Sequence, residues 1–336
     1  MLRVGVIGYG YWGPNVLRNF MESPHCTVVG LSDVNESRLE LARRRYPTVA
    51  TTTDSASLIV RDDIDAIAIA TPVSSHHQLA LMTLKAGKHV WVEKPMAASV
   101  VEAEEMVTSA SANGLVLHVD HTFVYTGAVM RIRQLIENGD LGDLLYYDSS
   151  RVNLGLFQRD VSVVWDLAVH DLSILAYLQD EAPVRVSATG ISHVPGAQPD
   201  VAYLTVFYDS TFIAHVSVSW LAPVKIRQTL LGGSKKMVVY DDIEPSEKVR
   251  VYDKGITVDE SNAEDVYRTL VSYRTGDMWA PKLDATEALG AEVAHFARCI
   301  EGVERQRTGG AAGLAVVRIL EAATTSMAAG GAPVTL

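Results

Sequence analysis

The chain predicts an α/β protein in two parts: a doubly wound parallel sheet, then an α+β domain whose mostly antiparallel sheet has one open face. Three observations carry that expectation. Over the first ~120 residues, short apolar runs alternate with helical patterns about ten residues long, the rhythm of right-handed βαβ units covered on both faces. A glycine-rich hexapeptide follows the first apolar run directly. From about residue 144, strand-like runs succeed one another across short turns, which implies antiparallel pairing. At roughly 150 residues per domain, 336 residues suggest two domains. The division expected is 1–122 and 123–336, with the terminal helices able to pack back on the first domain.

Arg3-Val4-Gly5-Val6-Ile7 is a buried-strand run that stops at glycine. Pro14 to Met21 reads as a helix, and proline is tolerated in its first turn because no partner awaits the missing N–H. Then come Thr27 to Leu31 (strand), Glu36 to Arg45 (helix), Ala66 to Ala70 (strand), His76 to Lys85 (helix) and His89 to Val92 (strand). Val101 to Ser111 (helix) and Val116 to Asp120 (strand) complete the series. Ala128 to Glu137 is a further helix, closed by Asn138-Gly139. Strands follow at Val184 to Val194, Val201 to Tyr208, Phe212 to Trp220, Ile226 to Leu231, Met237 to Tyr240 and Lys248 to Tyr252. The stretch from Asp253 to Leu283 reads as irregular, long enough to be an arm over the site or toward a neighbouring subunit. Glu287 to Cys299 and Ala311 to Met327 close the chain as helices.

Composition narrows the function classes. The chain is 48% hydrophobic and carries a net charge of −11, so a nucleic-acid partner would need a local basic face, and none is evident. The only two cysteines, Cys26 and Cys299, lie far apart, which argues against a disulfide scaffold or a thiolate metal site and fits a reducing compartment. No metal is expected. No uninterrupted apolar run reaches about 18 residues, and the first strand starts within three residues, so neither a membrane span nor a signal peptide is expected. The expected localisation is cytoplasmic.

Gly8-Tyr9-Gly10-Tyr11-Trp12-Gly13 fits G-x-G-x-x-G in the Rossmann context of strand, turn and helix. Gly8 allows the tight turn, Gly10 lets the backbone approach a pyrophosphate, and Gly13 permits close helix–strand packing. The helix N-terminus then offers N–H groups and a positive dipole end to the diphosphate. Asp33 ends the second strand, where it would accept the ribose hydroxyls and repel a 2′-phosphate. That favours NAD(H) over NADP(H), although Arg38 lies one helical turn away.

Ligands of open parallel sheets bind beyond the carboxyl ends of the strands. Three loops lie there: Thr71-Pro72 through His76, Glu93-Lys94-Pro95, and Asp120-His121-Thr122-Phe123. A histidine at a helix N-terminus has its cationic form disfavoured, so His76 is assigned a binding role. The residue before proline is held extended, which gives Lys94 a defined direction.

These residues resemble the Gfo/Idh/MocA oxidoreductases along essentially the whole chain. The matching text is Gly8 to Gly13, Thr71-Pro72 with His76, Ala86-Gly87-Lys88-His89-Val90 leading to Glu93-Lys94-Pro95, and Trp165-Asp166-Leu167-Ala168-Val169-His170-Asp171. The last looks like the family's Asp-x-x-x-His catalytic segment, and i, i+4 spacing on a helix would set Asp166 and His170 on one face. The resemblance implies hydride transfer between a sugar or polyol carbon and the nicotinamide. His170 would take the proton from the reacting hydroxyl, its ordinary pKa suiting a general base. Lys94 would hydrogen-bond the same hydroxyl, or act as the base itself, and Asp166 would orient the substrate or His170. The cofactor contacts expected are Gly8, Gly10, Tyr11, Trp12, Gly13, Asp33, Arg38, Thr71, Pro72, His76, Glu93 and Lys94.

Gly10 to Asn15, Asn153 to Gln158, Trp165 to Ser173 and Gly233 to Tyr240 look like the branch that oxidises nucleotide-activated amino sugars at the C3 hydroxyl. Enzymes of free sugars or polyols, reductases of keto-sugar intermediates, and a non-catalytic dinucleotide-binding regulator are the alternatives. Substrate contacts are expected from Lys94, Tyr125, Asn153, Arg159, Asp166, His170, Trp279 and Lys282. Arg159, Lys235, Lys236 and Lys282 are candidate cations for a diphosphate. The strand face bearing Val216, Val218 and Trp220 is expected to pack on another copy, as a homodimer or homotetramer, or under the terminal helices.

Overall fold

The computed structural model describes residues 1–155, 161–258 and 271–336. They divide into two compact units, each built from two segments: Met1–Thr126 with Thr286–Glu321, and Gly127–Ala285 with Ala322–Leu336. The crossing between units thus falls at Thr126 rather than residue 122.

The first unit holds six parallel strands: β1 (Leu2–Ile7), β2 (Cys26–Ser32), β3 (Ala50–Thr52), β4 (Ala66–Ile69), β5 (His89–Glu93) and β6 (Leu117–Asp120). Their spatial order is β3-β2-β1-β4-β5-β6, so the winding reverses between β1 and β4, where such sheets open a crevice for a ligand. The helices between them are α1 (Gly13–Glu22), α2 (Glu36–Arg45), α3 (Ser55–Ile59), α4 (His76–Lys85) and α5 (Val100–Ala112). Apolar residues fill β1, β4 and β5 without alternation, as a sheet covered on both faces requires. The short β3 and α3 carry too little apolar periodicity to stand out in sequence; the Asp54 side chain caps α3 by accepting the Ala56 N–H.

The second unit begins with α6 (Gly127–Glu137) and the long central strand β7 (Leu144–Leu154). A π-helical turn, Val164–Ala168, runs directly into α7 (Val169–Leu178). Then follow β8 (Arg185–Ile191), β9 (Val201–Phe207), β10 (Ile213–Ser219), β11 (Leu221–Gly233), β12 (Met237–Asp241), β13 (Val249–Val258) and β14 (Val271–Trp279). With β15 (Val334–Thr335) they form one sheet in the order β14-β13-β12-β11-β7-β10-β9-β8-β15. Only β7 and β10 pair in parallel; the other neighbours are antiparallel. Alternation along β7, β9 and β10 gives the sheet a covered face, on which α7 and the π turn pack.

Two expectations are corrected here. Val216, Val218 and Trp220 lie on the covered face, at 0%, 0% and 1% exposure, so a second copy cannot reach them. The stretch from Asp253 to Leu283 is largely a hairpin, β13 paired with β14 across undescribed residues, because Gly255 and Gly276 obscure the alternation that marks strands.

The returning segment supplies α8 (Ala288–Ile300) and α9 (Gly310–Ala328). Val293 and Phe296 of α8 complete the first unit's core, where Phe20 meets Trp91 and Phe296 edge-on at 5.9 and 6.3 Å. By length and hydropathy α9 is long enough to cross a membrane, a property that Arg318 and Glu321 hide in a search for uninterrupted apolar runs. Its Val316, Val317, Leu320 and Ala323 are nevertheless buried in the fold, as in a core helix.

Candidate active site and cofactor cradle

The glycine-rich turn is built where backbones nearly touch. Gly8 has φ +99°, and a Cβ there would lie 2.3 Å from the Ala70 carbonyl oxygen; one at Gly13 would lie 2.3 Å from that of Gly8. Gly10 differs, since a Cβ would meet only the Arg38 guanidinium at 3.6 Å. Its missing side chain therefore leaves main chain open to a ligand. Asp33, 5% exposed, accepts the Tyr9 N–H at 2.6 Å and the Asn35 N–H at 2.8 Å, with Arg38 at 3.5 Å. A carboxylate has about four acceptor positions, so it retains capacity for ribose hydroxyls. An open glycine backbone at a helix start, with this carboxylate beyond it, fits a dinucleotide. Tyr11 is exposed at the tip, and Trp12 stands at the N-cap of α1, donating its indole N–H to Asp120 at 3.3 Å.

Beside the turn lie the ends of β4, β5 and β6. Thr71 and Pro72 follow β4, and the Thr71 hydroxyl accepts from Ser75 at 2.7 Å. His76 is buried at 1% exposure, with Nε2 2.8 Å from the Thr71 carbonyl and Nδ1 2.9 Å from that of Pro95. Burial lowers its pKa. The ring thus braces one loop against the next, and its expected role as a direct cofactor contact is corrected. Glu93 accepts the Lys94 N–H at 3.0 Å, and the Lys94–Pro95 bond is cis. Burial, then the charge of Asp120, holds the Glu93 carboxyl well above the usual carboxylate range. His121 is buried too, its pKa pushed down to about 3 by burial and by the Lys94 charge.

Asp166 and His170 belong to the second unit, and both are half-buried. Four residues overshoot one turn of an α-helix; the wider π turn at Val164–Ala168 takes up part of that overshoot between them. Two bridges tie this segment to the end of β7. Arg151, on the same face of β7 as Asn153, clamps Asp171 at 2.6 and 3.3 Å, immediately after His170. Trp220 donates its indole N–H to Asp166 at 3.2 Å, while its carbonyl accepts the Gly155 N–H at 2.9 Å. A Cβ on Gly155 would strike the Trp220 ring at 2.4 Å.

Residues 2–121 match the model of the oxidoreductase family GFO_IDH_MocA, NAD-binding Rossmann fold, and residues 129–239 match that family's C-terminal domain. The chain belongs to the Gfo/Idh/MocA oxidoreductases. Its first unit is an NAD-binding domain. The uncharacterized oxidoreductase YrbE of Bacillus subtilis is 24% identical over 97% of this chain and 94% of its own. The UDP-N-acetylglucosamine 3-dehydrogenase of Acidithiobacillus ferrooxidans is 28% identical over 65% of this chain and 67% of its own. Its solved structure superposes with a TM-score of 0.80 at 22% identity, covering 98% of both chains. GenD2 from gentamicin A biosynthesis, solved in complex with NAD, superposes at 0.82 and 20% identity over 100% of this chain and 96% of its own. At these structural identities the likeness is one of fold.

Within this Gfo/Idh/MocA chain, the cofactor residues expected from sequence gather at one edge of the first sheet, and Asn153, Asp166 and His170 gather in the second unit. Lys94 belongs to the first unit. Tyr125 is corrected: it is 3% exposed, and its hydroxyl sits 3.0 Å from that of Thr308, so it is a core residue. Lys235 is tied to the Gly139 carbonyl at 3.3 Å, and Gly233 pairs with Leu144. Lys235 and Lys236 therefore lie at the start of β7, roughly 30 Å along the strand from Asn153. Trp279 is likewise removed from Asn153, pairing with Val251 on the edge hairpin, level with Tyr147. Lys282 is exposed beyond that strand, and Arg159 lies outside the described residues. Trp220 and Asp120 were missed as site residues. A tryptophan ending a buried strand needs a polar partner for its N–H, which was the available sign for the first.

Proposed function

We propose that this oxidoreductase oxidises the C3 hydroxyl of a nucleotide-activated sugar with NAD⁺, giving a 3-keto sugar for amino-sugar synthesis. The observation that carries the reading is the Asp166–His170 pair, set on the π turn and α7 and steadied through Trp220 and Arg151. The activity of the A. ferrooxidans relative supports the substrate class. Bound NAD⁺ supplies the hydride acceptor. His170 takes the hydroxyl proton, Lys94 donates to the same oxygen as charge develops there, and Asp166 orients the imidazole or a neighbouring hydroxyl. Asn153, on the face of β7 that carries Arg151, is a further substrate contact. We infer also that the enzyme works in the cytoplasm, where the buried thiols of Cys26 and Cys299 persist unpaired. The open sheet face, with Tyr203, Ile213 and Ile226 exposed, is the surface for a homodimer or homotetramer.

Formation of NADH, followed by absorbance with UDP- and dTDP-sugars beside free sugars and inositols, tests this reading. Turnover is expected with a nucleotide sugar and should fall by about 10²- to 10⁴-fold in His170→Ala and in Lys94→Ala. Turnover confined to free sugars or polyols would reassign the substrate. None with any sugar, even with a keto acid present to reoxidise retained NADH, would leave the chain a dinucleotide-binding regulator.

A further inference from the structure

We propose that Asp120 is a positioning residue for NAD, clasping the glycine-rich turn to the Lys94 turn through a proton it shares with Glu93. Glu93 and Asp120 are register partners at the ends of two parallel strands, so their side chains leave the same face of the sheet. They are 8% and 2% exposed. Two buried carboxyl groups can hydrogen-bond only with a proton between them. The donors around them show where that proton is needed. Asp120 receives the Trp12 indole N–H on one oxygen and the Thr122 hydroxyl on the other. Glu93 Oε2 receives the Lys94 N–H, whereas no donor reaches the buried Glu93 Oε1 among the described residues, nor Oε2 of Glu292, the third carboxyl in contact with Asp120. Each of those oxygens is satisfied when its own acid is protonated and turned toward Asp120.

The connection runs from Trp12, at the N-cap of the phosphate-facing helix, through Asp120 and Glu93 to the main chain of Lys94. It joins two turns that border the dinucleotide cradle. The titratable groups facing the pair are Glu292 and His118, with His121 and Lys94 on the loops. Burial keeps both histidines neutral, so among the described residues that face the pair only the charge of Lys94 opposes a second negative charge. Loss of the shared proton would therefore push Glu93 and Asp120 apart and loosen the cradle. The inference rests on the NAD-binding unit and is independent of which substrate is oxidised.

The test is NAD⁺ affinity, measured by calorimetry on the full chain at pH values on either side of the loss of the Glu93 proton, which is located by the protonated-carboxyl infrared band that Glu93→Gln removes. The charge of the NAD⁺ diphosphate is constant between those values. Affinity should weaken about tenfold as pH rises, the scale of one lost charge-assisted hydrogen bond. Asp120→Asn offers Glu93 an amide donor in place of the shared proton but gives up one of the two oxygens that accept from Trp12 and Thr122, so its affinity should be lower and should no longer vary with pH. Trp12→Phe should weaken binding several-fold at low pH, and adding Asp120→Asn to it should cost less than the two separate effects combined. A pH-independent affinity in the unaltered protein would overturn the proposal. So would an Asp120→Asn variant that keeps the pH slope, or a Trp12→Phe variant that binds normally.

Discussion

Trp220 shows how a single side chain can serve both core and chemistry. Its ring fills the covered face of the second sheet, while its one polar atom is spent on Asp166. Trp220→Phe keeps most of the buried area and removes only that N–H. The expected result is a fall in kcat of about tenfold, the scale of one hydrogen bond to a charged group, with NAD⁺ affinity unchanged. Steady-state kinetics with the cofactor and the substrate varied separately will check it. Arg151 and Asp171 are a different case, being an ion pair almost wholly out of water. Removing either partner alone strands a buried charge, at a cost of about 3–5 kcal/mol, so single variants there report on folding before they report on catalysis.

Among the elements, β6 and α8 meet through ionisable groups rather than through apolar surface alone. His118 Nε2 lies 3.0 Å from Glu292 Oε1, both at 0% exposure. Burial and the neighbouring Asp120 raise the pKa of Glu292, and Glu93 is raised in the same way, so the folded state holds their protons. Stability from these two groups is complete below the ordinary carboxylate value and is lost as pH rises through their elevated values. His118 and His121 act oppositely: their folded pKa values are depressed, so their contribution is present above 6.5 and is lost as pH falls. The melting temperature should therefore pass through a maximum, and Glu292→Gln should flatten its alkaline side; a thermal-melt series over pH will show whether it does. Apart from the short β3 and α3, the strands and helices of the first unit were legible because the strands are apolar runs and the helices periodic. Of the β13–β14 hairpin only Lys248 to Tyr252 was, since Gly255 and Gly276 interrupt the alternation beyond it. Nor was the π turn, because Val164 to Ala168 offers the same residue types as an ordinary first helical turn. At the site, the glycine turn, Asp33, Lys94, Asp166 and His170 carried recognisable spacing, while Asp120 and Trp220 act through neighbours that only the folded chain reveals.

For the whole molecule, each unit is made of two stretches of chain that are distant in sequence. The first unit's sheet is complete by Asp120, yet Phe20 lacks one of its two aromatic neighbours, and the core its α8 residues, until Phe296 arrives. A fragment ending at Thr126 should accordingly expose that apolar surface and unfold without a sharp transition, and co-expression with residues 286–321 should restore cooperative unfolding and NAD⁺ binding. Calorimetric scans of the fragment with and without its complement decide the point. The same interruption bears on biosynthesis. A ribosome working from the amino terminus releases the dinucleotide-binding sheet early, then spends the whole of Gly127–Ala285 before the helix that seals it is made. During that interval the nascent sheet must be kept from sticking to its neighbours on the polysome, so the demand for chaperones should peak in mid-translation, after the cofactor's binding turn already exists.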